Sequence, residues 1–322
     1  MKRSYAVAAL AAACFCLPAA AQFTPPRAVK VIVPYTAGGP SDVVTRVVAT
    51  QMGKTMNVPV VVENRPGATG TIGMSAAARA PADGSTMVMF SLGGSVLNAV
   101  LRDKLPYDLL KDFTPVGNMV DMAQLLVVNP ELPVKSVNDL IAYGKAHPNK
   151  LSYGSSGVGA STHLIGELFQ QVTGVKMVHV PYQGTGPATT DTISGQIQLL
   201  FTEVPVLIQP VQAGKLRALA LGNPQRSPLM PEVPTMAEVG LPQLEAYNWF
   251  GLQAPAKTPP EAIAYLNEHL VKALNDPQTR ATLQAMGADP APGTPDDFGR
   301  LVRREMDKWR EVARKADIRV EQ

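Results

Sequence analysis

The sequence predicts an α/β protein of two lobes with a ligand cleft between them, and three features predict it. Residues 29–90 alternate strand, helix, strand, helix, strand. The same alternation restarts near residue 123 and runs to 221, after which a proline-rich stretch leads into a last strand and three helices. Successive βαβ units make a parallel sheet with helices on its faces. The order lobe one, lobe two, lobe one requires two crossings between lobes, and two crossings make a hinge. The expected division is a leader at 1–21, lobe one from 22–123 with 223–322, and lobe two from 124–222.

The leader reads Met1-Lys2-Arg3, an apolar run to Leu17, then Ala19-Ala20-Ala21. That is the order of a secretory signal cleaved near Ala21, and the run is too short to span a bilayer. Both cysteines, Cys14 and Cys16, fall inside it. The expected mature chain, 22–322, therefore excludes disulfides, cysteine nucleophiles and thiolate metal sites. Of 29 basic residues, Lys2 and Arg3 leave with the leader, so 27 face 26 acidic ones. Near neutrality without a basic patch excludes capture of nucleic acid.

In lobe one, 29–33 is a strand buried on both faces, and Val43, Val44, Val47 and Val48 continue at helical spacing. Between them Gly38 and Gly39 turn the chain, and Ser41 or Asp42 can cap the helix. A second strand at 58–62 leads through Gly67, Ala68 and Gly70 into a helix ending near residue 79. A third strand, 86–90, ends in a loop at 91–94. Parallel strands with right-handed crossovers bring all three loops to the carboxyl edge, where open α/β sheets bind ligands. Residues 105–115 read as a connecting loop and 123–128 as an apolar strand.

Lobe two reads as helix 136–147, strand 151–153, helix 160–173, strand 177–180, helix 187–194, strand 197–201, helix 205–213 and strand 216–221. The proline-rich stretch 223–242 is expected to wrap back over lobe one. A strand at 246–254 follows, then helices beginning near Pro260, Pro277 and Pro295. Thr294 caps the last, with Pro295 at its first position and two acids in its first turn. Phe298, Leu301, Val302, Met306, Trp309, Val312 and Ala313 form one apolar face for docking onto lobe one.

Four junctions share the order strand, glycine loop, helix start: Thr36 to Asp42, Gly67 to Gly70, Ser155 to Thr162, and Gly184 to Ala188. Each can present backbone N–H donors to an anion, and several neutral donors with helix dipoles hold a carboxylate without arginine. Arg65 can fork onto a carboxylate or pair with Glu63. Asp42 and Asp191 can take an ammonium or hydroxyl, and Asp42 can equally be a cap. His163 can donate to an anion or pack beneath its loop. Glu203 can select a cationic ligand group or stand solvated.

Enzyme signatures fail. Val158 stands where a nucleophile elbow needs its second glycine, and no phosphate-loop GK[ST] occurs. Gly67 to Gly73 is spaced GxxGxxG with no acid ending the next strand. His147, His163, His179 and His269 lack metal-ligand spacing. No catalytic residue, metal or cofactor is expected.

Taken together, VPYTAGGPSDVVTR (33–46), VVENRPGATGTIG (61–73), LPYDLLKDFTPV (105–116), LSYGSSGVGASTHL (151–164), HVPYQGTGPATTD (179–191) and WFGLQAPAKTP (249–259) carry a family resemblance. The chain resembles the periplasmic substrate-binding proteins of tripartite tricarboxylate transporters, the Bug-type receptors, over essentially its whole mature length. The resemblance implies a type II periplasmic-binding-protein fold that closes on one small mono- or dicarboxylate for a membrane permease. It implies ligand contact from Tyr35, Thr36, Gly38, Gly39, Ser41 and Asp42, with Gly67 and Ala68 nearby. Ser156, Thr162, His163, Gly184, Thr185 and Asp191 would meet the ligand from lobe two. A periplasmic monomer is expected. A ligand-dependent partnership with a sensor kinase is the alternative, and an exported hydrolase a more distant one. Ala160, where a glycine is common, and Glu203 depart from the family pattern.

Overall fold

The computed structural model describes residues 24–320, so the secretory-signal reading of 1–21 lies outside the described residues. The chain runs β1 (Val29–Val33), α1 (Pro40–Met56), β2 (Val60–Asn64), α2 (Thr71–Ala78), β3 (Thr86–Ser91), α3 (Asn98–Leu101) and β4 (Phe113–Met122). It continues as β5 (Gln124–Val128), α4 (Val137–Ala146), β6 (Leu151–Ser155), α5 (Ser161–Thr173), β7 (Met177–Pro181), α6 (Thr185–Ile193), β8 (Leu199–Glu203), α7 (Val204–Gln212) and β9 (Arg217–Leu221). It ends with β10 (Asn248–Pro255), α8 (Pro260–Asn275), α9 (Pro277–Ala285), β11 (Ala288–Pro290) and α10 (Pro295–Ala316).

Two sheets result, ordered β11-β4-β10-β3-β1-β2 and β7-β6-β8-β5-β9. Strands β2, β1 and β3 are mutually parallel, as are β7, β6 and β8, so each set presents its carboxyl ends along one edge. Helices on both faces leave β3 and β5 buried at every residue, which is why both read as unbroken apolar runs. The chain passes between sheets at Ala123 and again between Leu221 and Asn248.

Three apolar clusters are built from the described residues. One lies between the first sheet and α1, α8 and α9, built on Val44, Met52, Leu266 and Leu283. A second serves one face of the second sheet through Leu125, Leu200 and Leu207. The third is shared, joining Phe90 and Trp249 of the first sheet to Tyr153 and Phe201 of the second. The last helix lies in this shared cluster. Its start is the expected one: Thr294 and Asp297 form a reciprocal capping box with Pro295 in the first turn. Its apolar face docks on β4 and also reaches α5, where Gln171 Nε2 donates to the Val312 carbonyl at 2.9 Å. The helix thus bridges the lobes instead of serving lobe one alone.

Several elements differ from expectation, among them β11, a three-residue strand that the sequence does not mark. Residues 116–122 join 113–115 in a ten-residue strand, β4. Its pairing with β10 shifts register twice, which breaks the period-two pattern that would mark a strand. Residues 92–97 form a wide π-helical turn leading directly into α3, although Gly93-Gly94 punctuates the sequence like a loop. The proline-rich stretch is not confined to the first sheet: Met236 lies in the shared cluster, while Met230 and Val233 complete the cluster of the second sheet. The Leu221 N–H donates to the Pro234 carbonyl and the Met236 N–H to the Leu221 carbonyl, both at 2.8 Å. The stretch covers β9, an edge strand whose backbone groups need partners.

Candidate functional site

The loops after β1, β2 and β3 are stitched together at the carboxyl edge. Asn64 Nδ2 donates to the Tyr35 carbonyl at 3.1 Å and to Asp42 Oδ1 at 2.8 Å. Tyr35 Oη lies 3.0 Å from Ser91 Oγ, which also accepts the Gly94 N–H at 3.1 Å. Burial pushes the Tyr35 phenol up to about 12, the Ser91 bond acting against it and Tyr107 adding to it, so the ring stays neutral.

Gly38 takes φ +83°, a left-handed conformation that glycine adopts without penalty. Gly39 does not need that freedom: it is the residue before α1, in ordinary extended backbone. No side chain caps α1 there. Asp42 instead reaches back to accept the Gly38 N–H at 2.8 Å and is gripped by Arg46 at 3.0 Å. It is 2% exposed. Burial raises its carboxyl, but Arg46, Gly38 and Asn64 together outweigh this and hold it below the usual carboxylate range. Arg65 pairs with Glu63, which also binds Lys30 at 2.7 Å.

In the second lobe Thr162 Oγ1 accepts the Ser156 N–H at 2.9 Å and lies 3.1 Å from Ser156 Oγ. His163 is buried beneath the same loop, its Nδ1 accepting the Gly159 N–H at 3.1 Å. Its ring stacks on His179 with centroids 3.8 Å apart, and His179 Nε2 is 2.6 Å from Ser155 Oγ. Tyr153 also lies near-parallel to His179, with centroids 5.0 Å apart, and its hydroxyl donates to Glu167 at 2.6 Å. Burial, reinforced by His179, pushes His163 down to about 4; burial alone lowers His179. Asp191 accepts the Tyr182 hydroxyl at 2.7 Å.

The folded His163 therefore takes its proton only near pH 4, whereas the unfolded chain takes it near 6.5. Its contribution is full above pH 6.5 and is lost as pH falls to about 4. Melting curves from pH 7 to 4 should show a loss of about 3 kcal/mol that His163→Gln lacks. Parallel pH profiles for the two proteins would exclude His163 as the cause.

Two adjoining cavities open between the lobes and share Tyr35, Gly93 and Gly94 as their common wall. One, of about 420 Å³, brings Tyr35, Ser41 and Thr185 together with Ser91, Glu203, Asn248 and Phe250. The other, of about 380 Å³, brings Ser156 together with Thr69, Arg102, Ala160 and Ser161. The N-termini of α1, α6 and α5 border them through Ser41, Thr185 and Ser161, and none of the three has a side-chain cap. Uncapped first-turn N–H groups and the positive helix end suit an anion.

Thr36, Gly38, Gly67 and Ala68 stand exposed near this edge and line neither cavity. Gly39 and Gly184 flank the lining residues as the positions before α1 and α6. Asp42, Thr162 and His163 lie behind the walls, and Asp191 lies one helical span from Thr185. The loop at 91–94, which the sequence places at the carboxyl edge without naming its residues as contacts, lines both cavities through Gly93 and Gly94 and the larger one through Ser91. Arg102, Asn248 and Phe250 lie outside every junction the sequence marks. Asn248 and Phe250 carry no such signal, because β10 reaches the cleft only through an antiparallel insertion between β3 and β4.

Comparison with known proteins identifies the family. The family model described as "Tripartite tricarboxylate transporter family receptor" matches residues 44–318. The chain is 36% identical to BugT of Bordetella pertussis (strain Tohama I) over 312 residues, covering 97% of this chain and 96% of BugT. An R. palustris protein solved with adipate is 36% identical at TM-score 0.73, over 92% of this chain and 99% of that one. MatC from Rhodopseudomonas palustris with bound malate is 32% identical at TM-score 0.69, over 90% and 99%. A match over most of the chain, with relatives of this identity and coverage, places the protein in the tripartite tricarboxylate transporter receptor family, alongside the Bug proteins.

Proposed function

We propose that the protein is an exported, non-catalytic receptor that holds a small carboxylate between its lobes and delivers it to a tripartite tricarboxylate-type permease. The observation that carries this reading is the convergence of three uncapped helix starts on two cavities sharing Tyr35. The adipate and malate held by family relatives support a carboxylate as the anion. The leader-like segment at 1–21 supports a periplasmic location. In this reading Ser41, Thr185, Ser156 and Ser161 offer hydroxyls and first-turn N–H groups. Asp42, Asn64, Thr162 and His163 hold those loops in shape.

Melting the mature protein against a panel of organic acids tests it. A binder at one hundred times its Kd stabilises by about 2.7 kcal/mol, and at least one mono- or dicarboxylate should do so. Stabilisation by sugars or metal ions with none by any carboxylate would defeat the reading.

A further inference from the structure

We infer that the ligand carries a single carboxylate and, at its other end, an ammonium group received by Glu203. This rests on the receptor reading above and narrows its ligand class. Among the described residues, Glu203 is the only wall residue of the larger cavity with a formally charged side chain; the wall joins apolar Met122, Phe250, Met286, Pro205 and Val206 to the neutral polar groups of Tyr35, Ser41, Ser91, Thr185 and Asn248. No lysine or arginine among the described residues lines that cavity.

The local structure keeps the acid available. Glu203 ends β8 and precedes α7, and its side chain is not engaged in a cap bond to that helix. Thr202 Oγ1 donates to its Oε2 at 2.9 Å and fixes the carboxylate. When a ligand displaces water from this cavity, an acid with no cation beside it loses solvation that the single Thr202 hydrogen bond does not replace. An ammonium on the ligand supplies the missing partner. A second carboxylate there would instead meet a like charge in a poorly screened space.

The ligand so defined has its carboxylate on the N–H groups of α1 and α6, an aliphatic body against Met122 and Phe250, and its ammonium at Glu203. Arg102, in the adjoining cavity beyond Tyr35, is the rival partner for a ligand's far end, and it would draw a second carboxylate.

Titration calorimetry with 5-aminopentanoate, pentanoate and adipate separates the cases, since the three share a four-carbon chain and differ at one end. The wild type should bind 5-aminopentanoate about 10-fold or more tighter than adipate, the scale of one charge-assisted hydrogen bond. Glu203→Gln should lower that ratio about 10-fold by weakening the amine and admitting the diacid. Adipate binding tightest to the wild type, with the order unchanged in Glu203→Gln, would overturn the inference and leave the receptor reading standing. Binding of none of the three, together with no response to the wider acid panel, would overturn both. Should the variant not fold, the wild-type ranking decides alone.

Discussion

Replacing Trp309 with alanine is expected to cost about 4 kcal/mol and to lower the melting temperature by roughly 10 °C. The side chain is fully buried in the cluster that both lobes share. Its indole Nε1 donates at 2.8 Å to Glu305 Oε2, a carboxylate only 2% exposed. Lys308 reaches the same carboxylate at 2.9 Å and lies 4.7 Å over the indole ring. Alanine would leave a cavity and take one donor from a buried acid, two costs that add. Trp309→Phe keeps most of the volume and loses only the donor, so it should cost about 1–2 kcal/mol. Because Phe90 and Trp249 from one sheet share the cluster with Tyr153 and Phe169 beside the other, both lobes should melt together at the lower temperature. A loss below about 1 kcal/mol, or melting confined to one lobe, would show α10 to be a peripheral strap instead of a bridge.

The same helix shows what can be read from sequence and what cannot. Its cap, its proline start and its apolar stripe are local features, and all appear where spacing predicts them. Its second contact, with α5, depends on how two lobes lean together, which no local pattern encodes. Strands β1 and β3 were readable because burial on both faces forces an apolar run, while the half-exposed edge strands β2 and β7 were marked by their valines. Strand β4 was not, because two bulges against β10 and the polar residues Asn118 and Asp121 interrupt its alternation.

The candidate site divides on the same line. Glycine junctions after parallel strands announce a carboxyl edge, and Ser41, Ser156 and Thr185 line the cavities there. Asn248 and Phe250 arrive from a strand some 200 residues after β1 and are visible only once the topology is known. Asp42 illustrates a third case. Either ligand contact or cap was open from sequence, and its geometry is a variant of the second, with the carboxylate bracing the Gly38 turn from inside the first turn of α1.

Gly94→Ala should abolish ligand binding while leaving the fold nearly intact. A Cβ on Gly94 would fall 1.5 Å from Tyr35 Oη and 2.5 Å from the adjacent ring carbon, so the tyrosine must leave its place. The end of a side chain can move, which spares the backbone. What is lost is the Tyr35–Ser91 hydrogen bond and the wall common to both cavities, costing the unliganded protein about 1 kcal/mol. A displaced ring also occupies the space that a ligand would fill. The carboxylate giving the largest thermal shift on the wild type should therefore bind Gly94→Ala at least about 100-fold more weakly, the scale on which a misplaced wall residue acts. Gly93→Ala is the matched control, because a Cβ there meets nothing within 4 Å and leaves Tyr35 in position. Tyr35→Ala should reproduce the loss seen with Gly94→Ala. If Gly93→Ala and Gly94→Ala weaken binding equally while Tyr35→Ala binds normally, the glycine backbone touches the ligand and the tyrosine is only a neighbour. If Gly94→Ala binds as the wild type does, the two cavities sharing Tyr35 are not where the ligand sits.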